Sequence, residues 1–258
     1  MNNAVSEIVK GAGIADVGFC AFREISDRLL ECRAKQRLPE NAKTVICCIF
    51  PYKVKENPPK LLSRYAAVPD YHPICLEYLK KAVSGLQERF PDNRFECFVD
   101  NSPIPEVYAA AVSGLGVRGE NGLLITKKYG SFVFLGEIVT DLEIECENRF
   151  SSCIGCGKCK KNCPRIDGMP CLSDLTQKKG EFTKAEAELL RKNNLLWGCD
   201  ICAEVCPENN GAFCTQIPEF LENYRDFYEV GEDGTDRAYN WRGKNPIIRN
   251  FKNLQIID

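Results

Sequence analysis

The spacing of cysteines between residues 153 and 206 constrains this chain more than any other feature. Cys153, Cys156, Cys159 and Cys163 follow one another with gaps of two, two and three residues, and Pro164 closes the run. A second run, Cys199, Cys202 and Cys206, has gaps of two and three and closes on Pro207. Two-residue gaps let a tight loop aim successive sulfurs at neighbouring irons. A proline-terminated run of four is the bacterial pattern in which three thiolates bind one 4Fe–4S cube and the fourth reaches another. By reciprocity, Cys206 completes the cluster begun by Cys153, Cys156 and Cys159. The second cluster then holds Cys163, Cys199 and Cys202 and lacks one ligand, for which Cys171 is the nearest spare cysteine in the intervening loop. Zinc is the competing reading, but zinc sites rarely carry two proline-terminated runs.

Two such cubes lie close enough for single-electron hops, so the segment reads as a wire, and a wire needs a terminus. The other eight cysteines (Cys20, Cys32, Cys47, Cys48, Cys75, Cys97, Cys146 and Cys214) lack ligand spacing and read mostly as small buried residues. The chain opens on polar Met1-Asn2-Asn3 with no charged-then-apolar leader, which predicts a cytoplasmic protein whose thiols stay reduced. There, close cysteines serve as metal or redox ligands sooner than as disulfides. The apolar run Thr44 to Phe50 is too short to span a bilayer and predicts a buried strand, so no membrane partner is expected. A net charge of −2 leaves no electrostatic footprint for nucleic acid and argues against DNA as a partner. Lys127-Lys128, Lys158 to Lys161 and the stretch Arg237 to Lys252 read as solvated surface.

At 258 residues the chain can bury more than one core. Periodicity predicts helix over 3–12, strand over 16–20, helix over 24–36 and strand over 44–50, an alternating start. Helix follows from Pro73 to Phe90, strand from Phe95 to Val99 and helix from Glu106 to Ser113, with a hairpin of 122–126 and 131–140 turned at Lys127 to Gly130. The expected class is α+β, with an α/β domain over 1–148, a double-cluster ferredoxin-like domain over 149–214 and a polar C-terminal tail over 215–258. Asp100, at a strand end after Phe98-Val99, has two readings. It caps the following turn through Asn101 and Ser102, or, partly desolvated, it holds a proton near neutrality as a general acid.

Arg64-Tyr65-Ala66, Asp70-Tyr71-His72, Val99-Asp100-Asn101-Ser102-Pro103, Gly114-Leu115-Gly116, Gly119, Gly130-Ser131 and Phe134-Leu135-Gly136-Glu137-Ile138 resemble, in order and spacing, the epoxyqueuosine reductases. Cys171-Leu172-Ser173-Asp174-Leu175-Thr176 is similar to that family's loop carrying the fourth ligand of the second cluster. The resemblance implies an oxidoreductase in which a cobalamin lies between an α/β domain and a two-cluster ferredoxin domain. That cofactor reduces the epoxide of a modified wobble nucleoside, making queuosine in tRNA. It implies that Asp100 is the catalytic acid and that a base-off corrinoid touches Arg64, Tyr65, Asp100, Leu124, Ser131, Leu135, Ser173 and Leu175. The chain has one histidine, His72, and no Asp-x-His-x-x-Gly segment, so a histidine-ligated corrinoid is not expected, and His72 reads as a structural hydrogen-bonding group.

The family carries Gly-Lys-His or Gly-Lys-Asn where this chain has Gly119-Glu120-Asn121, and longer members continue into a helical-repeat domain where this chain ends at Asp258. The resemblance is therefore to a short form, with tRNA as the substrate it implies and a flavodoxin, ferredoxin or reductase as electron donor. Other readings are a non-catalytic two-cluster electron carrier, a short paralogue reducing another substrate, and a relative of the corrinoid dehalogenases, the last disfavoured by the lack of a twin-arginine leader.

Overall fold

The computed structural model describes residues 1–147, 151–228 and 236–255. Its contacts divide the chain into two discontinuous compact units: residues 1–51, 72–156 and 208–213 form the first, and 52–71, 157–207 and 214–258 the second. Continuous domains bounded near 148 and 214 are therefore not how the chain packs. Residue 148 itself lies outside the described residues.

The first unit is built on one sheet. Asp16–Ala21 (β1), Thr44–Pro51 (β2), Phe95–Phe98 (β3) and a long strand Val133–Thr140 stand in the order β1, β2, Val133–Thr140, β3. Every neighbouring pair is antiparallel. Val117–Arg118 (β4) and Leu124–Ile125 (β5) pair separately, which makes Val133–Thr140 the sixth strand, β6. Strand β2 is buried at every residue, as an apolar run held in the middle of a sheet must be. Three helices complete the unit: Asn2–Gly11 (α1), Tyr71–Arg89 (α2) and Glu106–Val112 (α3). Val45, Cys47 and Ile49 of β2 and Val139 of β6 share one core with Ala109, Ala110, Ala111 and Val112 of α3. The alanines let α3 lie close against the sheet. Leu79 of α2 packs on the opposite face, beside Gly136 and Phe50.

Two sequence expectations do not hold here. The segment 24–36 forms three short 3-10 turns rather than a helix, and Leu30 N donates to Pro103 O at 2.8 Å, a tertiary bond that takes the place of a helical one. The expected hairpin is only a closed loop with Thr126 bridged to Gly130, because β5 pairs with β4 while β6, apolar on both faces, takes a central place between β2 and β3. The start of the chain is thus antiparallel and not of the βαβ kind, within a fold that is α+β as expected.

The second unit is helical: Lys158–Asn162 (α4), Leu172–Thr176 (α5), Lys184–Lys192 (α6), Ile201–Glu204 (α7), Pro218–Glu222 (α8) and Lys244–Gln255 (α9). Thr183 and Glu186 form a reciprocal capping box that fixes the start of α6. Trp197, fully buried, packs with Leu62, Leu196, Tyr239 and Ile247. The segment expected as a tail therefore supplies core residues to this unit. No helix among the described residues is long and apolar enough to cross a membrane.

Candidate functional site

The end of β3 sets up the first cluster of chemistry. Asp100 has a φ of 58°, the left-handed region that aspartate tolerates better than most residues, and such local strain tends to collect at functional positions. Ser102 Oγ accepts from Ile104 N at 3.1 Å and caps the turn, so the capping expected of Asp100 falls to its neighbour. The Asp100 carboxyl meets His72 on the first turn of α2, Oδ2 to Nε2 at 3.2 Å. Its side chain is 61 % exposed, so the desolvation expected at this position is not found.

The desolvated carboxyls of the first unit are two that sequence reasoning passed over. Glu106 opens α3 and, with Asp100, Arg28, Tyr108 and Arg118, lines a cavity of about 400 Å³. Burial, then the charge of Asp100, pushes its pKa up to about 8, against hydrogen bonding from the Asp100 backbone N–H. Glu137, 1 % exposed, stands on β6 between Cys47 and Phe98. Burial and the nearby Glu106 raise it well above the carboxylate range, although Ser102 hydrogen-bonds it. The signal that marks Glu137 in the sequence is a carboxylate interrupting Phe134-Leu135-Gly136-Glu137-Ile138, a strand otherwise apolar on both faces. Glu106 has no comparable signal, since an acidic residue in a helix's first turn is ordinary.

In the second unit α4 packs against α7, bringing Cys159 and Cys202 onto facing elements. Burial pushes the Cys202 thiol up to about 12, with Cys199, Cys171 and Cys163 adding to the rise. Cys199 is pushed to about 11, again by burial first and with Cys171 and Cys163 contributing. These four thiols therefore lie within electrostatic reach of one another, and they are the set that ligand counting assigned to one cluster. As bare thiolates they would repel, and a cationic iron–sulfur core is what such a donor set fits. No group of three or more His, Cys, Asp or Glu among the described residues is arranged to hold a single metal ion. A cube spaces its ligands more widely than one ion does. Of the other set, Cys159 lies on α4 and Cys206 follows α7, while Cys153 and Cys156 belong to the first unit, around Gly155 and Gly157, whose φ values of 66° and 67° make the tight turns. Of the eight remaining cysteines, Cys20, Cys47, Cys48 and Cys75 are buried and the other four half-buried.

The residues expected around a corrinoid fall four in each unit. In the first, Asp100 borders the cavity, Leu124 lies in the core, Leu135 packs partly against it, and Ser131 N donates to Asn209 Oδ1 at 2.8 Å. In the second, the Arg64 guanidinium is buried against Glu204, with Nε to Oε1 at 2.5 Å, and donates to the carbonyls of Lys55 and Glu56. The Tyr65 phenol hydrogen-bonds Ser173, while Leu175 is fully buried beside Leu172, Leu189 and Leu190. Leu124 and Leu175 are both also part of a hydrophobic core. The one histidine faces Asp100, so the donor set fits a corrinoid held without a protein imidazole.

A family model described as epoxyqueuosine reductase QueG, DUF1730, matches residues 33–101. An epoxyqueuosine reductase of Lactococcus garvieae is 34 % identical over 82 % of this chain and 68 % of its own. The chain belongs to the epoxyqueuosine reductase family.

Other members of this family of oxidoreductases agree. That of Listeria monocytogenes is 35 % identical over 80 % of this chain and 61 % of its own, so the chain spans roughly two thirds of the relatives it matches. The epoxyqueuosine reductase of Streptococcus thermophilus superposes with a TM-score of 0.80 at 25 % identity, over 98 % of this chain and 80 % of that one. A crystal structure of an epoxyqueuosine reductase with an epoxyqueuosine-modified tRNA-Tyr stem loop gives 0.81 at 25 % identity with the same coverage. Within this family fold, the non-catalytic carrier reading is not favoured.

Proposed function

We propose that this chain reduces epoxyqueuosine to queuosine in tRNA, using cobalamin and two 4Fe–4S clusters, in the cytoplasm. The observation that carries the reading is Asp100, held in a left-handed turn beside His72 at the mouth of a cavity, in a chain of this family. The clusters are assigned to Cys153, Cys156, Cys159 and Cys206, and to Cys163, Cys171, Cys199 and Cys202. Corrinoid contacts are assigned to Asp100, Leu124, Ser131 and Leu135 in the first unit and to Arg64, Tyr65, Ser173 and Leu175 in the second. When bound, the corrinoid supplies the electrons that open the epoxide, which the clusters pass to it one at a time from a low-potential donor of the flavodoxin or ferredoxin class.

The protein's own part is binding, orientation and protons. His72 holds the Asp100 carboxyl through Nε2, and Asp100, which lines the cavity, gives its proton to the epoxide oxygen as the C–O bond breaks. Arg28, whose guanidinium lies 4.7 Å from the centroid of Tyr108, and Arg118 place positive charge at the same cavity, where the anionic backbone of a tRNA stem loop would approach.

Asp100→Asn tests the reading. It should leave cluster absorbance and cobalamin affinity near wild type while abolishing reduction of an epoxyqueuosine stem loop. Undiminished turnover in that variant sinks the acid role. Failure of the wild-type chain, fully loaded, to reduce the stem loop favours a paralogue with another substrate.

A further inference from the structure

Removing an epoxide oxygen to leave an alkene is a two-proton reaction. Two C–O bonds break, the C=C bond forms, and the oxygen departs as water, taking two electrons from the donor and two protons from the protein or solvent. One carboxylic acid carries one proton. Resting on the reading of Asp100 given above, we propose that Glu106 is the second proton-delivering group of the Asp100 cavity.

The geometry has three parts. Glu106 lines the cavity with Asp100, and its carboxyl accepts from the Asp100 backbone N–H, so the two acids sit on either side of one turn. Glu106 Oε1 is buried with no hydrogen-bond partner. Glu137 points to the α3 side of the sheet, as its register with Cys47 requires, and its Oε2 is likewise buried and unpartnered. An ionised carboxylate left unpaired in such a place is costly, whereas the neutral acid is tolerated. Three carboxyls within mutual reach do not all ionise, and the protons they keep belong to the group as a whole.

The groups facing Glu106 are Asp100 at the end of β3, His72 on α2, Glu137 on β6, and Arg28, Tyr108 and Arg118 around the cavity. Cys47 adjoins Glu137. Burial and the Asp100 charge outweigh His72, which leaves Glu106 with a pKa of about 8 and therefore mostly protonated at pH 7. Glu106, and not Glu137, is among the residues that line the cavity, so Glu106 is the donor.

The test uses the full chain with clusters and cobalamin loaded, reduced methyl viologen as one-electron donor and an epoxyqueuosine stem loop. In single turnover, Glu106→Gln should be slowed about a hundredfold, with iron content and corrinoid affinity unchanged, and Glu106→Asp should recover part of the rate. The wild-type rate should fall above about pH 8 as Glu106 loses its proton, and that limb should be missing from Glu106→Gln. Glutamine at wild-type speed, or a limb that survives the substitution, overturns the proposal. A second readout needs no turnover: carboxyl 13C NMR of the cofactor-free chain labelled at glutamate. One resonance should titrate near 8, disappear in Glu106→Gln, and move down in Asp100→Asn. Titration of Glu106 at the ordinary glutamate value overturns the proposal by itself. Absence of wild-type turnover is the failure of the substrate reading, and in that event the NMR titration alone decides whether the shared-proton cavity stands.

Discussion

Asn209 and Ser131, 78 residues apart, exchange two hydrogen bonds: Ser131 N donates to Asn209 Oδ1 at 2.8 Å and Asn209 Nδ2 donates to Ser131 Oγ at 2.7 Å. The pair ties the segment after the last cluster cysteine to the loop that leads into β6. It leaves no room at Gly130, whose φ is 57° and where a Cβ would collide with Asn209 Oδ1.

Gly130→Ala should therefore destabilise the chain by about 2–4 kcal/mol, the sum of a left-handed alanine and a buried Ser131 N–H left unsatisfied. A shift in urea midpoint at unchanged slope is the expected result. A midpoint within error of wild type would show that Asn209 yields freely.

Arg64 is a buried cation whose partners hold the α7 segment, through its side chain to Glu204 and its backbone N–H to Asp200. Arg64→Ala removes the partner of the partly exposed Glu204 and leaves two carbonyls without their donor, and should cost about 1–3 kcal/mol. Because α7 carries Cys202, iron content after reconstitution should fall as well. Normal stability together with full iron would assign Arg64 to cofactor contact alone.

Stability should depend on pH through the carboxyl group of three. Glu106 and Glu137 have folded pKa values raised above their ordinary 4.5. Their contribution is fully present below pH 4.5 and is lost as pH rises through the folded values, about 8 for Glu106. Wild-type urea midpoints should thus drop between pH 5 and pH 8, and Glu137→Gln should flatten the drop by removing one buried acid. Parallel pH profiles for the two proteins would refute this.

Cys171→Ser should remove about half of the roughly eight irons that two four-iron clusters contain, or leave a three-iron species visible by electron paramagnetic resonance. Cys214→Ser, beside Glu56 and outside both ligand sets, should change neither iron content nor spectrum. Full iron in Cys171→Ser would move the eighth ligand elsewhere.

The helix from 73 to 90 and the strands at 16–20, 44–50 and 95–99 were legible because each repeats apolar residues at its own period over a local window. The segment 24–36 misled because Phe22, Leu29, Cys32 and Leu38 pack one by one against the sheet, and the Leu30 N–H is claimed by Pro103, which lies far along the chain. The hairpin misled for a similar reason: adjacency favoured β5 with β6, and burial on both faces sent β6 between β2 and β3. Asp100 was visible as a strand-end acid, but the desolvated acids of its unit were Glu106 and Glu137, whose environment depends on how α3 lies against β6.

The sequence by itself supplied the cysteine count and spacing from which the cluster ligands are proposed, since these are local properties that survive any arrangement of the rest. It also determined the fold class and the family. Only the tertiary structure decided which carboxyls are deprived of water, which face Asp100 turns to His72, and how the chain divides into units that interleave its segments. Solvation and charge proximity are set by residues distant in the chain, and no local window contains them.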